Sequence, residues 1–342
     1  MNKVENERLF EFDLIRAVCT VGIIINHFSA AVENTVLRKL FYTFFNSGVS
    51  VGYTLVTVFF ILSGTVLYNK YSRLDSVRQF YYQRWKSIFP TYYFVYISVL
   101  ITLFLFRPNM FKEKPLISLL WTVIGMDGYV SSSFTTWYLV GEWFLGAIII
   151  LYVLFPILCS VFNRSEFVTL LIFTGLFVFF IDWRMLDQNE FRNVFSCIIS
   201  FVIGFSIIKN RIFEKDIVAI LVILFGIVAI VFFNNMGSNL SAHIAGVLVF
   251  AILHACGRYI KAKGNWTIIK KIVGLVSGCS YEIFLIHHVI ISFTVKMLHL
   301  SDKPLCLLCP IIMLDIIGTV FIGQIIHCIM KRVVRLMPAS IL

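Results

Sequence analysis

An arginine and a histidine stand eleven residues apart in the first hydrophobic segment, Asp13-Leu-Ile-Arg16-Ala-Val-Cys-Thr-Val-Gly-Ile-Ile-Ile-Asn-His27. In a helix that interval is about three turns, so both side chains share one face, roughly 16 Å apart along the axis. Thr20 and Ile23 lie between them on the same stripe. Ionisable groups in a membrane helix are costly, and they face a cavity or a partner rather than lipid. The guanidinium can hold a phosphate through forked hydrogen bonds; it can equally snorkel, or pair with Asp13 one turn earlier. The imidazole can act as general base toward a hydroxyl, or serve as a satisfied packing histidine. A cation near the membrane surface, with a proton-active ring deeper on the same stripe, points to a reaction path entered from one side. That pattern belongs to an enzyme more than to a scaffold.

Further polar residues cluster at three places. Lys70-Tyr-Ser-Arg-Leu-Asp-Ser-Val-Arg-Gln-Phe-Tyr-Tyr-Gln-Arg84-Trp-Lys86-Ser87-Ile-Phe-Pro90 interleaves basic and aromatic residues. Such a stretch suits an anionic, ring-bearing ligand, and it equally suits a loop at a membrane surface. Glu142 follows Trp137-Tyr-Leu-Val-Gly and opens a hydrophobic segment, where it can orient a hydroxyl acceptor or sit in the interface. Glu282 and His287, in Ser280-Tyr-Glu-Ile-Phe-Leu-Ile-His287-His288, are five steps apart, about 140° round a helix, so they are not a same-face pair. They can still meet through a neighbouring helix. His243, His254, His299 and His327 have no comparable company and read as structural.

The elements that must position these groups are membrane helices. The 342 residues are 59% hydrophobic, 16% aromatic and 14% charged, with a mean hydropathy of +0.90. Repeated apolar runs of about twenty residues identify an all-α polytopic membrane protein, and they lack the alternation of barrel strands. Candidate spans are 12–32, 49–69, 88–106, 137–161, 165–183, 191–208, 216–233, 240–257, 277–298 and 305–330. The apolar piece 116–126 is too short to cross and reads as a re-entrant or surface helix in an external loop, 107–136. With ten spans and both termini cytoplasmic, roughly two thirds of the 29 Lys and Arg lie in inner segments, as the positive-inside rule requires. An eleventh span at 116–126 would turn the basic clusters at 209–215 and 258–271 outward. The net charge of +11 is therefore a matter of topology and anionic lipid, not of nucleic acid. The eight cysteines fall mostly in hydrophobic runs and read as small packing residues, Cys306-Leu-Leu-Cys309 included. No metal site and no bound cofactor are expected. The chain reads as one membrane domain, 1–342, with no cleavable signal and no internal repeat.

Taken together, these segments resemble the acyltransferase 3 family of integral membrane acyltransferases. The resemblance rests on Arg16-x10-His27, Phe59-Phe-Ile-Leu-Ser-Gly64, Phe80-Tyr-Tyr-Gln-Arg84-Trp-Lys-Ser87-Ile-Phe-Pro90, Trp137-Tyr-Leu with Tyr152-Val-Leu-Phe-Pro156, and Ser280-Tyr-Glu-Ile-Phe-Leu-Ile-His287, in order from about residue 10 to 330. It implies transfer of an acyl group, in the first place acetyl, from cytoplasmic acyl-CoA to a hydroxyl of a cell-surface or lipid-linked glycan, in a multi-pass protein of a bacterial-type inner membrane. On that model Arg16 and Arg84 face the CoA phosphates or pantetheine and His27 activates the chemistry. Ser87 stands where the family's basic stretch carries a second arginine; Lys86 beside it offers charge without a fork. Glu142, Glu282 and His287 are candidates for acceptor or relay roles. The rival reading is a proton-coupled carrier using the intramembrane Arg, His and Glu, although carriers commonly show matching halves with broken spans and none is evident here.

Overall fold

The computed structural model describes residues 9–32, 34–41, 50–106, 114–184, 190–232, 238–264, 266–301 and 303–339. Helices run in the order α1 (Phe10–Ala31), α2 (Thr35–Phe41), α3 (Val51–Tyr71), α4 (Val77–Phe106), α5 (Leu119–Val123), α6 (Asp127–Val130), α7 (Trp143–Arg164) and α8 (Glu166–Phe179). They continue with α9 (Val194–Lys209), α10 (Asp216–Phe232), α11 (Ser238–Lys263), α12 (Thr267–Gly278), α13 (Ser280–Met297) and α14 (Leu305–Arg335). No strand occurs among the described residues.

Among the described residues six helices are long and apolar enough to cross a bilayer: α1, α3, α4, α7, α11 and α14. The pair α12 and α13 makes a seventh as a broken span bent by 72° around Cys279. Three further apolar helices, α8, α9 and α10, have 14, 16 and 17 residues and fall short of the same length. The expected count of ten exceeds seven by these three helices, and exceeds six by these three and the broken pair. At five residues α5 is roughly 7 Å long, far below the width of a bilayer. Residues 267–276, read from sequence as loop, are helical. The apolar stripe Ile269, Val273 and Val276 packs inward, and Lys270 and Lys271 dilute its hydropathy enough to hide it.

Helix α1 is the centre of the architecture. Phe12, Ile15 and Cys19 pack into a cluster with α3, α10 and α11, while Leu14, Ala17, Ile24 and Phe28 pack against α12, α13 and α14. With two flanks buried in apolar clusters, the stripe Arg16, Thr20, Ile23 and His27 is left facing a cavity. A third cluster joins α4, α7, α9 and α13 around Phe155, Phe201 and Phe205. The outer faces carry exposed apolar side chains, among them Ile101, Phe104 and Leu105 on α4 and Leu314, Ile317 and Phe321 on α14. Exposure of this kind fits hydrocarbon rather than water. The chain is a multi-pass membrane protein.

The tightest crossing is α3 on α9. A Cβ on Gly64 would collide with the Phe201 carbonyl, and one on Gly204 with the Ile61 carbonyl, so two backbones meet where only glycine fits. Thr65 Oγ1 seals the contact by donating to Ile61 O (2.9 Å) and Gly204 O (3.1 Å). The cysteines divide in a way the sequence reading did not anticipate: Cys19, Cys159, Cys197 and Cys279 are buried, whereas Cys256, Cys306, Cys309 and Cys328 are exposed. Cys306 and Cys309 sit on the outward face of α14, so they are surface residues rather than packing ones.

Candidate active site

A cavity of about 250 Å³ runs beside α1, lined by Arg16, Thr20 and His27 together with Ser87, Glu142, Tyr281 and His287, and with apolar walls from α3, α7 and α13. Arg16 is half-buried. Its Nη1 lies 3.3 Å from Asp13 Oδ1 and 3.3 Å from Ser277 Oγ, and the Ser277 hydroxyl donates to Asp13 at 2.6 Å. Arg16 therefore pairs with Asp13 and also faces the cavity.

His27 meets Glu142. Its Nε2 lies 3.2 Å from Glu142 Oε1, joining the C-terminal part of α1 to the N-terminus of α7. Local backbone explains how the carboxylate gets there. Gly141 adopts φ +73°, a conformation that side chains other than glycine's disfavour, and the chain turns at that point into α7. On the other side Gly128, on α6, lies directly on the Glu142 main chain, bridging to it, and a Cβ at Gly128 would fall 2.7 Å from Trp143 N. The short helix α6 thus acts as a backstop for Glu142.

Two histidines of α13 complete the group. His287 Nε2 lies 3.1 Å from Glu142 Oε1, and His288 Nε2 contacts the same oxygen. The ring of His27 is 5.2 Å from that of His287 and 4.2 Å from that of His288. His287 is fully buried, and its Nδ1 lies 2.8 Å from the Phe284 carbonyl. His288 did not figure among the sequence candidates, because its neighbour at 287 carried the motif and no local spacing links either ring to residue 142.

The remaining candidates lie elsewhere. Glu282 faces α14, where its Oε1 is 3.0 Å from His327 Nδ1, so His327 has a partner that no local pattern announces. Arg84 is held by aromatic faces, 5.4 Å from Tyr71, 5.9 Å from Phe80 and 5.7 Å from Tyr152; Tyr152 is itself a wall of the cavity. Lys86 donates to the carbonyls of Met337 and Pro338, each at 2.9 Å, and so ties α4 to the segment after α14, while Ser87 lines the cavity. Both ring nitrogens of His243 meet main-chain carbonyls, Asn239 O at 2.9 Å and Ser196 O at 3.0 Å. His254 packs among Phe12, Phe213 and Phe250.

Sequence reasoning missed Asp127, on the backstop helix α6. It is 1% exposed, and burial pushes its carboxyl up to about 6, with Thr122, Lys114 and the Trp137 main chain pulling only partly the other way. A carboxyl raised in the folded state binds more protons there than in the unfolded chain, so its contribution is fully present below about 4 and is lost as pH rises through about 6. We expect unfolding midpoints in detergent to show the wild type losing ground to Asp127→Asn between pH 4 and about 6, then holding a constant difference. A difference independent of pH would show that Asp127 is not held protonated.

The family profile described as an acyltransferase domain matches residues 9–326 of 342, and so takes in α1 with Arg16 and His27, the Glu142 turn and α13. No curated protein and no solved structure matches. By that match the chain belongs to the acyltransferase 3 family of membrane acyltransferases.

Proposed function

We propose that this protein moves an acyl group, acetyl in the first place, from cytoplasmic acyl-CoA to a hydroxyl of a cell-surface or lipid-linked glycan, within a bacterial-type inner membrane. The observation that carries this is the one cavity wall that holds Arg16 at one level of α1 and the His27–Glu142 pair three turns away. An acyl-CoA has phosphates at one end and a thioester at the other, with a long flexible arm between them. A guanidinium and a base separated along one helix face match that division. Arg84, steadied over three rings, is the second donor-side cation.

In this scheme Glu142 accepts the Nε2 proton of His27, which leaves the lone pair on Nδ1 as the base. Nδ1 takes the proton of the acceptor hydroxyl while its oxygen bonds to the thioester carbon. The C–S bond then breaks, and the CoA thiolate leaves with the proton that His27 returns. The products are the ester and CoA–SH. The carboxylate offsets the charge of the transient imidazolium and fixes its tautomer, as in other His–carboxylate pairs. The proposed topology is ten crossings with both termini cytoplasmic, which counts α8, α9 and α10 as spans and places the 107–136 loop outside.

The test uses membranes carrying the wild type or His27→Ala, labelled acetyl-CoA and the host glycan-lipid fraction. Label is expected in glycan with the wild type and at background with His27→Ala, at equal amounts of inserted protein. Equal labelling by both would remove His27 from the chemistry. Labelled donor bound by the wild type but never transferred to any acceptor would favour a carrier.

A further inference from the structure

Three imidazole nitrogens converge on one carboxylate oxygen in the cavity, and protein hydrogen bonding does not account for them. Glu142 Oε1 and His287 Nε2 are both buried, 3.1 Å apart, and without a hydrogen bond of acceptable geometry. The contact of His287 Nδ1 with the Phe284 carbonyl at 2.8 Å explains why. A carbonyl can only accept, so Nδ1 carries the proton and Nε2 of the neutral ring presents a lone pair. A lone pair facing a carboxylate oxygen at that distance is repulsive unless a cation lies between them. His27 Nε2 stands 3.2 Å from the same oxygen, His288 Nε2 is closer still, and one donor atom from each of the four residues falls within 4.8 Å of all the others.

We propose that His27, His287, His288 and Glu142 form a site for a divalent transition-metal ion of the zinc type. The chemistry of the set selects the class. Neutral imidazoles with one carboxylate suit zinc and its neighbours, whereas magnesium and calcium take oxygen ligands. Two of the ligand-to-ligand spacings, 3.1 and 3.2 Å, lie near the edge of about 3.3 Å that a tetrahedral shell with ligands near 2.0 Å would have, while the His288 contact is shorter than that edge. The His287–Phe284 bond is the outer contact that metal-bound histidines usually make, fixing tautomer and ring orientation. The ligands come from three segments, α1, the turn before α7 and α13, so no sequence spacing shows the site, and the expectation of no metal arose from that.

Four protein ligands make a closed shell with no open position for a substrate oxygen. An ion in this shell takes the Nε2 lone pair of His27 and leaves the proton on Nδ1, where the transfer scheme needs its base. The ion-bound form is therefore an off state. This last step rests on the acyl-transfer reading; the ion site itself does not.

The test uses the full chain purified in detergent and stripped with EDTA, then titrated with zinc chloride against a chromophoric chelator, without acyl donor. The wild type is expected to bind one zinc per chain, and His288→Ala to bind at least about a hundredfold more weakly, since even outer-shell losses cost 10–100-fold. His288→Cys guards against misfolding: it should retain the ion and add a Zn–S distance of about 2.3 Å to the absorption spectrum, beside nitrogen and oxygen near 2.0 Å. Wild-type binding no stronger than that of His288→Ala, or an oxygen-only shell, would overturn the site. In a separate arm, zinc should stop label transfer by the stripped wild type and chelator should restore it. Transfer that needs zinc, or ignores it, would overturn the off state. Absence of transfer with and without zinc would count against acyl transfer while leaving the binding curve standing.

Discussion

Glu142→Gln is expected to lower acyl transfer by about 10³–10⁴-fold, the scale seen when a His–carboxylate pair is left with the wrong tautomer. The glutamine is nearly isosteric, so the turn at Gly141 and the contact with Gly128 have no reason to change. What changes is the proton. In the proposed scheme Glu142 accepts the proton of His27 Nε2, which stands 3.2 Å from its Oε1, and an amide in its place can turn its NH₂ toward that nitrogen. His27 then keeps its proton on Nδ1 and cannot serve as base there. The same substitution removes the negative charge that would stabilise an imidazolium. The loss should appear in kcat with little change in the KM for acyl-CoA, because Arg16 and Arg84 are untouched. A variant within tenfold of the wild type would mean that Glu142 does not set the tautomer. Gly128→Ala offers an independent check, since its Cβ would press on the Glu142 main chain and shift the carboxylate without altering its chemistry.

The part of this site that periodicity can express was legible in the sequence. Arg16 and His27 share a helix face because eleven residues close three turns, and both line the cavity. Glu142 stood out as an acid at the head of an apolar run, and it is the residue on which the histidines converge. Contacts between helices were not legible. Glu282 and His327 are 45 residues apart and meet only because α13 packs on α14. Lys86 reads as a cation beside an arginine, yet the chain after α14 supplies the carbonyls that take up its charge. His288 follows a motif histidine at a helical step of about 100°, which would ordinarily turn it away. It reaches Glu142 because the carboxylate sits on a turn beyond the helix end rather than on a facing helix. In the fold, long uniform apolar runs were plain, while α12 was hidden by two lysines on one side of a narrow apolar stripe.

Glycine at 64 shows how a sequence motif can be structural and still govern chemistry. Gly64→Ala is expected to destabilise the protein by about 3 kcal/mol or more, at the upper end of overpacking costs. The added methyl would meet the Phe201 carbonyl, and a backbone oxygen cannot rotate aside as a side-chain tip can. Gly204→Ala should cost a similar amount against Ile61 O. Because both methyls push apart the same pair of helices, the second should cost less once the first is present, so the double variant should fall short of the sum by about 1 kcal/mol or more. Reversible unfolding in mixed micelles measures all three. Additive losses would mean that α3 and α9 adjust separately at each glycine rather than as one rigid crossing. The consequence for function follows from the far side of α3, which contributes Val56, Phe59 and Ser63 to the cavity wall. A helix displaced from α9 moves toward α1 or tilts along it, so surviving Gly64→Ala protein should show a raised KM for the acyl donor even where its His27–Glu142 pair is intact.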